Sequence, residues 1–552
     1  MKPQPPVTKM RIAAPSSSGR KAARADFSAP SPLAFIAALE SDWMFWVILA
    51  LAAGLRFFLL AIKPPHFDEG INGWFVDQMV RNGFYQYDPT NYHGPLHFYI
   101  LFLSQTLFGR NLWALRTPVV LGSIASVWLA LRYDSVLPKQ VARLAALAMA
   151  ISPGFIFYGR YSIHEVWLLL FSMMFMLGVI GLWQNGTLNY LWYTGIGITG
   201  MILTKETYII HIGCALIALP IAYVCNLLIQ ADYPEAAPQE WHWLDLVVVC
   251  GTGLFAIVFF YSGTFFHWNG VKGLYQTFHA WFQTGHNGNG HEKPFYYWLL
   301  LISRYEWPVC AGLLCAPLSL WFRSFALRYL TITGVGIFIG YSIVHYKTPW
   351  CIISIIWPLL FMFAAAVTAV AAKRQFLAAS IAAVLLTSSL VSAVALNYFR
   401  CTTFTDLTWD LTKGVTDNLK AFFASEPYVY VQTYNDIYKL TTPVLDLAHR
   451  NPIAYHLTGH IIRTSPYPLP WILGDFPNVG YYENQNGPPN MDGDFLLVQE
   501  DRIAEVEAKL HDNYYTEPLT IRPYQDTSKL YLRASVFKDY FRGQAPTFVG
   551  RP

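Results

Sequence analysis

Charge is what this sequence has least of. Of its 552 residues, 38 are Lys or Arg and 34 are Asp or Glu, together 13%, where a soluble globular chain carries about 25%. Hydrophobic residues make up 54% and the mean hydropathy is +0.32. This balance excludes intrinsic disorder, a collagen-like repeat and an ordinary cytosolic enzyme, and it points to many membrane spans. The net charge of +4 is too small to argue for a nucleic-acid partner. Cysteine is scarce as well, with seven in all. Six of them (Cys214, Cys225, Cys250, Cys310, Cys315, Cys351) lie in apolar stretches, and only Cys401 lies in a polar one. An odd count without a C-x-x-C pair argues against a disulfide framework or a structural zinc site. The cysteines read as small hydrophobes in helices. No internal repeat is visible, which argues against the usual transporter architecture.

What is present is a series of apolar runs. About twenty such residues cross a bilayer as a helix. Eleven runs qualify: 43–62, 112–131, 140–158, 164–183, 189–204, 207–229, 243–262, 305–322, 328–344, 350–371 and 376–396. Residues 1–42 precede them as a disordered basic tail rather than a cleavable signal peptide. The positive-inside rule puts that tail in the cytoplasm. Alternation then puts Arg132, Lys139, Arg143, Arg323, Arg328, Lys373 and Arg374 on the same side, and the C-terminus outside.

Two external segments are long. In 63–111, Ile71, Trp74, Phe75, Met79 and Val80 recur at helical spacing opposite Asn72, Asp77, Gln78 and Arg81, which suits a helix lying flat in the interface. The apolar stretch 95–108 is short for a span and reads as a second interfacial or half-buried helix. The other segment, 263–304, is rich in Gly, His and aromatics. The last 156 residues, 397–552, hold 32 of the 72 charged residues and read as a soluble domain. Strands are expected at 428–432, 460–464, 478–482 and 494–499. Helices are expected up to Arg450, at 470–472 and over 501–512. Alternation of this kind suggests an α/β sandwich. That part has no phosphate-binding glycine pattern, so nucleotide binding there is unsupported. The expected fold is thus a polytopic α-helical membrane protein, with a transmembrane domain 43–396 and an external α/β domain 397–552.

The chemistry-bearing residues gather at one membrane face. H-F-D-E-G at 66–70 puts Asp68 and Glu69 just after the first span, where carboxylates suggest function. One could be a general base and the other could hold a cation or a backbone amide; the alternative is that Asp68 caps the helix that follows. Y-H-G-P-L-H-F-Y at 92–99 offers His93 as a phosphate partner or as part of an interfacial aromatic belt. Y-G-R-Y-S-I-H-E at 158–165 brings Arg160, His164 and Glu165; Arg160 suits a phosphate or carboxylate through its planar fork. T-K-E-T at 204–207 brings Lys205 and Glu206, and H-Y-K-T-P-W at 345–350 brings Lys347. Each alone reads as a snorkelling helix-end charge. Together they suit a lipid-linked phosphate beside a base, or a structural ion-pair network. His267, His279, His286 and His291, with Glu292, could bind a metal, but their spacing fits no tight ligand pattern. Gly285, Gly288 and Gly290 instead suit a mobile substrate lid.

Taken in order, these motifs resemble the membrane-embedded GT-C glycosyltransferases. Relatives are the protein O-mannosyltransferases of glycosyltransferase family 39 and the aminoarabinose transferases that modify lipid A. H-G-P-L at 93–96 resembles their H-P-P-L or K-P-P-L signature. Y-G-R-Y-S-I-H-E resembles their Arg-containing motif, and L-T-K-E-T at 203–207 their L-T-K segment. Y-K-T-P-W and P-L-P-W…F-P-N-V-G-Y-Y (468–482) look nearest to a prokaryotic subfamily called flippase activity-associated protein. The resemblance covers nearly the whole chain.

The resemblance implies a polyprenyl-phosphate sugar donor held in the outer leaflet of a prokaryotic inner membrane. It implies Asp68 as general base, Glu69 on the acceptor side, and inversion at the anomeric carbon. His93, Arg160 and Lys205 would neutralise the leaving phosphate, with Lys347 a weaker candidate. His164, Glu165, His286 and His291 would serve the acceptor or the lid. No metal or other cofactor is implied. The large luminal insert of the mannosyltransferases is missing, which puts a protein acceptor in doubt. His93 stands where the aminoarabinose transferases have Lys, which leaves the sugar open. A flippase of lipid-linked sugars and a non-catalytic scaffold are the competing readings.

Overall fold

The structure is a computed structural model. It describes residues 39–91, 93–229, 238–287, 291–401, 414–483, 487–523 and 525–551, without the side chains of Thr284, His286 and Asn287. The expected tail up to residue 38 lies outside the described residues, as do Gly288 and Gly290.

All eleven expected spans are helical. Among the described residues, seven helices are long and apolar enough to cross a membrane by themselves: Leu112–Ser135, Glu165–Asn185, Tyr208–Ile229, Trp243–Tyr261, Phe325–Ile343, Pro349–Ala371 and Gln375–Phe399. The remaining four are shorter or broken. Asp42–Phe57 and Leu188–Ile202 are simply short. Lys139–Ile151 stops at Ser152 and restarts as Pro153–Tyr158. Proline lacks the N–H that would continue the first ladder but is preorganised to open the second. Trp307–Cys315 tightens into a 3-10 turn at Ala316–Trp321. Pro349–Ala371 forms the centre of the bundle, 89% buried, whereas Trp243–Tyr261 is 6% buried and faces outward. Both are apolar all round, as a bundle core and a lipid-facing span each must be.

Two helices lie between the first two spans. Leu96–Phe108 has 13 residues, about 20 Å of helix against a hydrocarbon core of about 30 Å, so it is too short to cross, as expected. Phe67–Asn82 is the expected helix with a different buried face. Asn72 and Asp77 are buried, and Val80 is 65% exposed. The reason is that this helix is packed between Leu96–Phe108 and the C-terminal domain. Asp77 receives a two-pronged ion pair from Arg110 (2.6 and 2.8 Å), and Asn72 donates to the Ser162 carbonyl.

The C-terminal sheet has the order β2-β1-β3-β5-β4. Its strands are β1 (Gly459–Ile462), β2 (Val479–Tyr481), β3 (Phe495–Gln499), β4 (Tyr514–Leu519) and β5 (Ser528–Arg533). β1 pairs in parallel with β2 and β3, while β3, β5 and β4 are antiparallel. Alternate residues feed two cores, Ile461 and Leu497 on one face and Ile462 and Leu496 on the other, so the sheet is covered on both sides. The expected helix up to Arg450 is Tyr438–Arg450, but 501–512 shortens to Ile503–Glu507 after a turn. The expected strand at 428–432 is not one. It runs as an irregular strap over the membrane helices. The Tyr158 hydroxyl donates to the Tyr428 carbonyl, and Gln432 donates to the Pro64 carbonyl. Its alternating apolar residues are buried against helices instead of a sheet.

This domain docks on the Phe67–Asn82 helix. A Cβ at Gly70 would strike the backbone of Pro468, and one at Gly73 would strike the Trp471 ring. Glycine is required there for the close approach.

Candidate functional site

At that docked helix a cavity of about 270 Å³ opens, lined by Asp68, His93, His164, Glu165, Lys205 and Glu206 with Trp281, Trp298 and Trp350 among its apolar walls. It is slightly smaller than a typical small-molecule site, roughly 300–1,000 Å³.

Asp68 sits in the first turn of the Phe67–Asn82 helix. The cap of that helix is His66, whose Nδ1 accepts the Asp68 backbone N–H at 3.1 Å, while Glu69 accepts the His66 N–H at 2.8 Å. Asp68 is therefore not the capping residue, and its carboxylate is left to the cavity, 30% exposed. Glu69, one residue on and about 100° around the helix, is fully buried and outside the cavity lining. Arg116 grips it through Nε (2.8 Å) and Nη2 (2.7 Å), and the Ser162 N–H adds a further bond at 2.9 Å. Burial alone would raise the Glu69 carboxyl; Arg116 and the backbone donors outweigh it and hold it below the ordinary value. Its geometry is that of an anchor.

The opposite groups come from two loops stitched together. Gly94 N–H donates to the Thr204 carbonyl and Leu96 N–H to the Leu203 carbonyl, both at 3.0 Å. His93 and Lys205 thereby face each other as an antiparallel bridge. Gly94 is essential to this contact, because a Cβ there would meet the Leu203 carbonyl group. His93 Nδ1 lies 3.1 Å from Glu206 Oε2. Lys205 forms a buried ion pair with Glu165. Burial opposes the Lys205 charge, but the Glu165 carboxylate more than compensates and raises the ammonium well above its ordinary value. His164 is sandwiched between the His93 and His97 rings, 4.6 and 4.4 Å away. Its Nε2 is buried with no hydrogen-bond partner among the described residues.

Other expected site residues lie elsewhere. Arg160 does not line the cavity. Its two Nη groups donate to the carbonyls of Phe58, Leu59 and Asn397, and the guanidinium stacks 4.9 Å from the Tyr398 ring. Lys347 is not in the lining either, because its ammonium donates to the carbonyls of Lys293 and Val344. Burial, with Lys293 nearby, pushes Lys347 down to about 8, and burial does the same to Lys293. His291 bonds the Tyr430 hydroxyl. His286 has its side chain outside the described residues. The segment expected as a loop at 263–304 contains the helix Asn269–Asn287, which brings Trp281 and Gly285 to the cavity wall. His267 stacks on Phe84 and His279 meets Gln283, so these histidines and His291 go to three different neighbours.

Arg116 is the functional neighbour that motif reading passed over, and Glu206 stands in its motif without a role. Arg116 carried a signal, being the one charged residue between 112 and 131, where an unpaired charge is costly.

Residues 92–258 are similar to the family of dolichyl-phosphate-mannose-protein mannosyltransferases, a stretch that holds both stitched loops. In structure the chain is similar to ArnT from Cupriavidus metallidurans bound to undecaprenyl phosphate. That match has a TM-score of 0.55 and 15% identity, and covers 89% of this chain and 98% of the other. The fold is GT-C. The apo state of the same ArnT matches with a TM-score of 0.52 and 14% identity, over 90% and 99% of the two chains. No curated protein matches the sequence. Within this GT-C fold the cavity lies where the first external helix meets the loops that follow, so Asp68, His93 and Lys205 converge from positions 137 residues apart at the extremes.

Proposed function

We propose that the chain is an inverting glycosyltransferase that moves a sugar from a polyprenyl-phosphate donor to an acceptor hydroxyl at the outer face of a prokaryotic inner membrane. The observation that carries this reading is the single cavity shared by the partly exposed carboxylate of Asp68 and the loop pair His93 and Lys205. Asp68 takes the acceptor proton as the hydroxyl oxygen attacks the anomeric carbon. The bond from that carbon to the phosphate oxygen breaks, and the lipid phosphate leaves with the electron pair. Lys205 and His93 stabilise the negative charge, an effect that is large in a water-poor site. Glu165 holds the Lys205 ammonium and Glu206 the His93 ring until the phosphate arrives, and both then share their partners with it. His164 offers its Nε2 to a sugar or acceptor oxygen. Glu69 fixes the helix start and so the position of Asp68. Undecaprenyl phosphate in the ArnT structure and the dolichyl-phosphate-mannose of the matching family support a lipid-phosphate donor.

A structural reading of the same residues has an observation behind it too, since Lys205 and His93 are already paired with carboxylates. Transfer from radiolabelled polyprenyl-phosphate sugars, in membranes carrying wild type or Asp68→Asn, separates the two, with EDTA in a parallel set. The expected outcome is a loss of at least about 100-fold for Asp68→Asn at unchanged melting temperature, and no effect of EDTA. Equal transfer by both proteins would remove Asp68 from the chemistry, and label protected from outside enzymes without transfer would favour the flippase.

A further inference from the structure

A second concavity lies away from Asp68. A groove of about 760 Å³ follows the outer side of the Gln375–Phe399 span. Its wall runs from Ala383 to Leu396, about 20 Å of helix, the reach of an acyl chain. Its rim faces outward, with Val384 67% and Val391 63% exposed, so the groove opens where the bilayer would be. The helix wall is mostly apolar, with the small hydroxyls of Thr387, Ser388 and Ser392 among Ala and Val, and the lining becomes charged at one end, where Arg304, Arg400 and Glu426 meet. Arg400 donates to Glu426 at 2.9 Å and Arg304 stands 3.8 Å from the same carboxylate oxygen. Among the described residues, two guanidiniums share one carboxylate. The Nε of Arg304 is buried without a partner there, and Arg400 is 57% exposed. Arg304 lies in the last turn of the Tyr297–Tyr305 helix and Arg400 directly follows the Gln375–Phe399 span, so both cations stand at helix ends.

We propose that this groove binds an anionic membrane phospholipid, its phosphodiester between Arg304 and Arg400 and one acyl chain along the Ala383–Leu396 wall. Planar guanidiniums suit a phosphodiester, and basic pockets between membrane helices hold such headgroups. The occupant has a structural route to the cavity. Glu426 accepts the Tyr305 hydroxyl, and Tyr305 stacks on Tyr428 at 4.1 Å. The strap continues to Tyr430, whose carbonyl meets His66 Nε2 at 2.9 Å and whose ring abuts Trp350, a wall of the cavity. A filled groove steadies the strap that braces His66, the cap of the helix bearing Asp68.

The test reads lipid retention, not transfer, so it stands or falls apart from the transferase reading. Protein extracted from nanodiscs of phosphatidylcholine mixed with phosphatidylglycerol is weighed by native mass spectrometry. The wild type should retain phosphatidylglycerol selectively. Arg304→Gln/Arg400→Gln should weaken that retention on the order of tenfold. Ser388→Trp, which fills the groove without touching a charge, should abolish it even if the arginine variant misfolds. Equal phosphatidylglycerol retention in wild type and Ser388→Trp would overturn the proposal, as would equal retention of both lipids by the wild type. Capture of a peptide rather than a lipid by a photo-crosslinker placed at position 388 would show that a protein segment covers the groove, and would overturn it too.

Discussion

Asp68 and Glu69 are neighbours in sequence with opposite environments, and substitutions should separate them. Removing Arg116, as in Arg116→Leu, leaves Glu69 charged and buried without its partner. That loss should cost about 3–5 kcal/mol, seen as a large drop in the melting temperature of the detergent-solubilised protein. Asp68→Asn, at a partly exposed position, should stay within about 0.5 kcal/mol of wild type. The D-E pair is visible in the sequence, but the division of roles is not, because Arg116 lies 47 positions from Glu69 and only folding joins them. Arg160 misleads for a related reason. A motif shows a cation, and the backbone carbonyls that engage it come from two distant segments, Phe58–Leu59 and Asn397.

The buried lysines set a pH dependence. Lys293 and Lys347 fall to about 8 from an ordinary 10.5. Below pH 8 both remain protonated, folded or unfolded, and the full cost of burying the charges is carried. Between about 8 and 10.5 the folded protein binds fewer protons than the unfolded chain, so stability rises with pH in that window. Melting curves across it should show the rise in wild type and a smaller one in Lys293→Met/Lys347→Met.

Elements were legible where one periodicity decides them. The Phe67–Asn82 helix followed from its spacing, yet its buried face did not, because pattern reading assigned it to lipid while the structure gives it a protein partner. The strap at 428–432 alternates like a strand and is buried by helices. β4 and β5 passed unread; β4 carries Pro518 in its E-P-L end, and proline in a strand is tolerated at a sheet edge, where β4 lies. The helix contact itself is testable. Gly73→Ala, with no room against Trp471, should loosen the domain from the helix. Amide exchange in Leu469–Ile472 should speed up markedly while Ile352–Ala371 stays protected. Unchanged exchange in Leu469–Ile472 would mean that Trp471 yields without undocking.

For the molecule as a whole, the apolar runs revealed a helical bundle, since lipid allows few alternatives to helices, and the alternating pattern after residue 396 revealed an appended α/β domain. Neither could reveal how the two parts meet, because that contact depends on two glycines and a tryptophan rather than on any run of residues. The burial of Pro349–Ala371 has a consequence in time. It is the tenth of the eleven helical segments to leave the ribosome, and it is also the post around which the others pack. Everything made before it, including both loops that later bear His93 and Lys205, must wait in the bilayer with its inner faces uncovered. Synthesis is therefore a period of exposure that ends only near residue 371. Nascent chains arrested before Pro349 should be degraded rapidly by membrane proteases, and chains arrested beyond Ala371 should survive. Equal lifetimes would mean that the early helices find a stable arrangement of their own.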